Sequence, residues 1–131
     1  MPLADLRQND MMAHLLDSLD AGRDIGHYGR LTFAMIAHHF ISDDELVGWL
    51  TKNPNFAEPQ ARALVHQVRS RDYNPPRPSR IAQWQREQEF PICPNMGDPD
   101  GCNVYRNLRF PDGVYESIQE YHEHKAEART A

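Results

Sequence analysis

The stretch GHYGRLTFAMIAHHF, residues 26–40, decides how the rest of the chain is read. Leu31, Phe33, Ala34, Met35, Ile36, Ala37 and Phe40 leave hardly any polar side between them. A helix apolar all round belongs in the middle of a protein, so a buried central helix is predicted over residues 27–40. The elements on either side must then supply the surfaces that cover it.

They do so with helical spacing. Upstream, Met11, Met12, Leu15, Leu16 and Leu19 recur at three and four residues, predicting a first helix over residues 9–21. Gly22 and Gly26 punctuate its end. Downstream, Ser42-Asp43-Asp44-Glu45 reads as a capping box opening a short helix that ends near Thr51. Asn55 or Glu58, with Pro59 in the first turn, starts the next, whose stripe is Ala61, Leu64, Val65 and Val68. The prolines among Tyr73–Pro78 forbid a helix there. Ser79 is expected to cap a short helix carrying Ile81, Trp84 and Gln85. Residues 90–109 are rich in Pro, Gly, Asp and Asn and read as a long loop, which needs something to order it. Pro111-Asp112 starts a last helix with Val114, Tyr115, Ile118 and Tyr121 on one face.

The expectation is therefore an all-α fold: a compact bundle of about five to six helices with a long irregular loop before the last. One domain spans residues 1–131, with its core over 9–121 and a fraying tail over 124–131. At 131 residues and 40% apolar content, the chain can bury a core unaided. No apolar run approaches the roughly 20 residues of a membrane span. The N-terminal residues lack the apolar centre of a secretory signal, so a cytoplasmic, membrane-independent protein is expected.

The net charge of −5 is unevenly spread. Residues 61–110 hold eight arginines and no lysine against five acids, whereas both flanks are acidic. Guanidinium groups make planar, bidentate contacts to phosphate. Arg69, Arg71, Arg77 and Arg80 surround Tyr73, a mix that suits single-stranded nucleic acid: arginine on phosphate, tyrosine under a base. The competing reading pairs these arginines with the surplus acids. A second constellation opens the central helix. Glycines let a ligand approach, the helix start favours an anion, and His27, Arg30 and His38 fall on one face.

Cys93 and Cys102 are separated too widely for an ordinary zinc knuckle, even with His122 and His124 drawn in. Buried free thiols are favoured, with a disulfide as the alternative in an oxidising setting. There is no phosphate-binding loop, no nucleophile triad and no two-metal carboxylate set, so no catalytic role is expected.

The order of motifs is also informative. A His-x-x-Arg at the start of an apolar helix is followed by DDELVGWL, then NPNFAEPQARALVHQV, then Tyr-x-Pro-Pro, FPICP and GC…LRFPDGVY. This series, covering most of residues 22–118, resembles the C-terminal domain of the primase large subunit of archaea and eukaryotes. The resemblance implies a helical, non-catalytic module that helps a catalytic subunit start a primer. It implies that His27, Arg30, His38 and Trp49 contact the 5′-triphosphate of the initiating nucleotide and the template. The implied partners are a primase or primase-polymerase catalytic subunit, a nucleoside triphosphate, single-stranded DNA template and an RNA or DNA primer.

That family holds a four-iron cluster through four cysteines. Here the first has no counterpart, Pro78 occupies the second position, and only Cys93 and Cys102 match the third and fourth. Phe110-Pro111 replaces the family's His-Pro. A cubane normally needs a ligand for each iron, so no cluster and no cofactor are expected. Trp84, Phe90, Tyr105 and Phe110 are expected to fill the vacated region instead. The resemblance fits either a cluster-free accessory subunit or a stand-alone relative serving a primase-polymerase on a plasmid, phage or defence locus. The alternative is a helical protein-interaction scaffold with no direct nucleic-acid contact.

Overall fold

Asn9 begins the first long helix as its sequence suggests: its side-chain oxygen accepts from the Met12 amide at 3.1 Å. That is one of many points at which the computed structural model, which describes residues 2–71, 73–94 and 102–118, follows the sequence pattern. In chain order the helices are α1 (Pro2–Leu6), α2 (Asp10–Asp20), α3 (Gly26–Ala37), α4 (Asp43–Leu50), α5 (Glu58–Arg71), α6 (Pro78–Gln85) and α7 (Val104–Asn107). An eighth, α8, covers residues 112–118. The fold is all-α, and no strand occurs among the described residues.

The apolar run over α3 does become the centre. Phe33, Ala34, Ile36 and Ala37 are fully buried, and α3 packs against α2, α4, α5 and α6. Each neighbour turns one stripe inward: Met11, Met12, Leu15, Leu16 and Leu19 from α2, and Leu46, Val47 and Leu50 from α4. Ala61, Val65 and Val68 come from α5, and Ile81 from α6. Burying a side chain the size of Leu or Phe contributes roughly 1.5–3 kcal/mol.

Several boundaries differ from expectation. α3 ends at Ala37 rather than residue 40. The amides of His39 and Phe40 bond the carbonyls of Ile36 and Ala37, three residues back, so the last turn tightens before Ser42. At α4, the Ser42 hydroxyl accepts from the Glu45 amide and donates to the Glu45 carboxylate, both at 3.2 Å. The box thus closes through side chains rather than through the Ser42 amide. The cap of α6 is Arg77, with Pro78 in the first turn, not Ser79. Leu64 is only partly buried. α1 and α7 lie where none was expected, bringing the count to eight among the described residues. In α8, Val114 is buried and Ile118 partly so, while Tyr115 is 39% exposed. Tyr121 lies outside the described residues.

The described ends of the supposed long loop are tied at several points. Cys93 and Cys102 form a disulfide, with their Cα atoms 5.9 Å apart. This corrects the preference for free thiols: the two Cα atoms lie within the ordinary bridging distance. The Cys93 amide donates to the Gln85 side chain at 2.7 Å. Asn103 caps α7 by accepting from the Tyr105 amide at 3.1 Å. The four aromatics expected to fill one space all pack against the core, but in separate places. Trp84 stacks on Tyr28, Phe90 on His14, and Phe110 lies among His39, Phe40, Tyr105 and Tyr115.

Candidate nucleic-acid interface

The start of α3 has the expected donors, but several of them are already used. Asp24 Oδ1 accepts from the Gly26 amide and from Arg30 Nη1, each at 2.9 Å. The Gly26 amide, aided by the Arg30 guanidinium, holds the Asp24 carboxyl below the usual carboxylate range despite partial burial. The Arg30 side chain is only 17% exposed, and its guanidinium lies 4.4 Å from the centre of the Phe56 ring. The next donor is taken by Gln88, whose Oε1 accepts from the Tyr28 amide at 2.9 Å. Gln88 Nε2 donates to the carbonyls of Ile25 and Phe90. Gly26 has a φ of 78°, and a Cβ there would lie 2.5 Å from the Gln88 side chain, so only glycine fits.

The other residues of that constellation do not join Arg30 around a shared pocket. His27 is exposed and meets the edge of Tyr28. His38 is 8% exposed at the far end of α3, with its ring centre 3.9 Å from that of His39. Eight residues of helix separate it from Arg30 by about 12 Å. Trp49 is half-buried on α4, with the Lys52 ammonium 4.8 Å from its ring centre. Two of the donors expected to face an anion, the Gly26 amide and Arg30, thus face a carboxylate of the chain itself.

The arginine-rich segment divides. Arg69 pairs with Asp43 and donates to the His38 carbonyl at 3.2 Å, fastening α5 to α4 and to the end of α3. Arg62 does similar work with Glu58 and Asp44, which raise its already high pKa. For these residues the pairing of arginines with surplus acids is what the structure displays. Arg71 is exposed in the last turn of α5.

Tyr73, Arg77 and Arg80 do come together. They line a cleft of about 390 Å³ between α3 and α6. Its floor is apolar: Leu31 and Met35, one helical turn apart on α3, and Trp84 from α6. Tyr73, Asn74 and Pro76 form the wall, and the exposed Arg77 and Arg80 form the rim. Tyr28 stacks on Trp84 with ring centres 5.6 Å apart. A hydrogen bond with Glu87 raises the pKa of the Tyr28 hydroxyl.

The proline-rich connector is held from outside. The Tyr105 hydroxyl donates to the Pro75 carbonyl. Burial pushes the Tyr105 pKa up to about 12, against the opposing pull of the nearby Arg77 charge and with help from Tyr115. Asn74 and Ser117 add a side-chain bond at 3.5 Å, linking the connector to α8. No ion pair among the described residues involves Arg80.

Leu31, Met35, Asn74, Pro76 and Trp84 are site residues that sequence reasoning missed. A signal existed for Trp84: Arg77, Arg80 and Trp84 fall at i, i+3 and i+7, which is one helix face. The sequence pattern groups the first two with Tyr73 and gives Trp84 a packing role alone. No group of three metal-ligating side chains occurs among the described residues, and His122 and His124 lie outside them. No described helix is long and apolar enough to cross a membrane. Comparison with protein-family models, curated proteins and solved structures finds no match.

Proposed function

We propose that this chain is a non-catalytic nucleic-acid-binding module that serves a separate primase or primase-polymerase catalytic subunit. Its bound strand lies along the cleft between α3 and α6. The observation that carries the reading is the meeting of Tyr73, Arg77 and Arg80 on one cleft with Trp84. Cationic groups beside aromatic surface are what a single strand needs, since every base has a face to stack and every nucleotide a phosphate. The order of motifs shared with the primase large subunit gives the module its proposed partner and place in primer synthesis.

The start of α3 contributes little to this reading. A triphosphate arriving there must displace Asp24, and a like-charge approach is repulsive until it does. The cleft rim carries two positive side chains at the beginning of α6, a helix with no acid in its first turn. The module therefore handles the template strand more directly than the 5′ end of the initiating nucleotide.

The test is a polarisation titration of a labelled single-stranded oligonucleotide at two salt concentrations. Phosphate contacts make affinity fall with salt, by a slope of about 0.7 per neutralised phosphate on a single strand. A measurable, salt-sensitive affinity is expected. No binding at low salt would favour the scaffold reading, for which the net charge of −5 and the ion-paired Arg62 and Arg69 speak. Co-purification of a primase catalytic chain from the native host tests the partner.

A further inference from the structure

We infer that the cleft between α3 and α6 is a pocket for one unpaired nucleotide, with its base inward on Met35 and Trp84 and its phosphate outward between Arg77 and Arg80. The inference deepens the strand-binding reading and rests on it.

The first argument is the division of chemistry across the cleft. Met35 is 7% exposed and Leu31 is half-buried, so the floor is an apolar surface. Arg77 and Arg80 are exposed, and three residues of helix place them side by side. A nucleotide has the matching division, with an apolar aromatic face at one end and a dianionic or bridging phosphate at the other. A simple anion would leave the floor unused. A purely apolar ligand would make no use of the two cationic side chains at the rim.

The second argument is stacking. Tyr28 already covers one face of the Trp84 indole, so the indole offers the cleft its remaining surface. A base laid there extends a stack that has begun inside the protein. Asn74 adds one amide on the wall to meet a polar base edge.

The third argument is size. About 390 Å³ lies near the lower end of the range for small-molecule sites, which suits one small ligand. In a duplex the faces of each base are covered by neighbours and its edge is paired. Only an unpaired base can reach the floor, so the same geometry selects single strands.

The experiment compares two labelled hexamers on the unmodified protein: single-stranded DNA, and a deoxyribose-phosphate chain of equal length lacking bases. Both carry the same charge, so they differ only in what can enter the floor. The expected result is at least tenfold weaker binding of the base-free chain, with equal salt slopes. A deoxynucleoside monophosphate should displace the intact hexamer at concentrations where ribose 5-phosphate does not. Trp84→Ala should lower affinity for the intact hexamer to that of the base-free chain. The unmodified-protein comparison stands even if that variant loses its packing on Tyr28. Equal affinity for the two hexamers would overturn the nucleotide pocket while leaving strand binding intact. Failure of both to bind would remove the strand-binding reading, and the pocket with it.

Discussion

Two helix starts in this molecule carry arginine in the first turn or at the cap, and they have opposite fates. At α3, Arg30 bonds to Asp24, two residues before the helix begins. At α6, Arg77 and Arg80 follow Pro75 and Pro76 and line the rim of the cleft. The contrast shows how little helix polarity alone decides. Both starts lie at the positive end of a helix dipole. At α3 the Asp24 carboxylate makes a closed structural joint, whereas the start of α6 forms the rim of a cleft.

The comparison can be tested by changing each side in turn. The largest effect is expected from Arg77→Ala combined with Arg80→Ala. Loss of two charge-assisted contacts should weaken binding of a single-stranded oligonucleotide on the order of a hundredfold at low salt. The salt slope should fall by about 1.4 in the same titrations. An unchanged slope would show that the phosphates lie elsewhere.

Next is the disulfide that follows α6. Cys93→Ser removes the bridge to Cys102 and should cost about 2 kcal/mol in denaturant unfolding, the scale expected for closing a short loop. A strong reductant should lower the stability of the unmodified chain similarly and leave the variant unaffected.

Asp24→Ala addresses the closed side. It should cost about 1 kcal/mol in stability, because the Gly26 amide and Arg30 lose a shared acceptor. The same change frees both donors, so affinity for a 5′-triphosphorylated oligonucleotide should rise a few-fold relative to a 5′-hydroxyl one. The pH dependence has a definite sign. The Asp24 carboxyl is held below its ordinary value in the fold, so its contribution is complete above the unfolded-state value. That contribution disappears as the pH falls through the lower folded-state value. Acid unfolding of the Asp24→Ala variant should therefore be less steep.

The smallest effect is expected from Arg30→Ala. Stability should fall by up to about 1 kcal/mol, from the partly exposed pair with Asp24 and the contact with Phe56. Oligonucleotide affinity should change less than twofold, whichever 5′ end is used. A large, triphosphate-specific loss would restore the anion role to α3.

Much of the fold was legible because the buried stripes repeat at three and four residues. Met11 to Leu19 and Leu31 to Phe40 were sufficient to place α2 and α3. The Asn9 and Ser42 caps fixed two helix starts through local chemistry alone. α1 and α7 were not legible, since five and four residues are too few to establish a period. The disulfide was hidden for another reason: a nine-residue separation says nothing about the distance between the two cysteines in space. The site was legible only in its charged part. Arg77 and Arg80 stood out by composition, whereas Leu31 and Met35 looked like core until α6 and the connector were laid beside them. The Asp24–Arg30 pair spans six residues across a bend, outside the ordinary helical pairing distances, so sequence spacing gave no hint of it.

Gln88 shows how far a local choice can reach. Its one side chain takes the Tyr28 amide and serves two carbonyls, in space that exists only because position 26 has no side chain. Positions 26 and 88 are thus a lock and its wards, cut together although sixty-two residues apart in the chain. Any descendant that enlarges the first must reshape the second. Substitution records should show the two drifting as a couple while the surfaces around them vary independently.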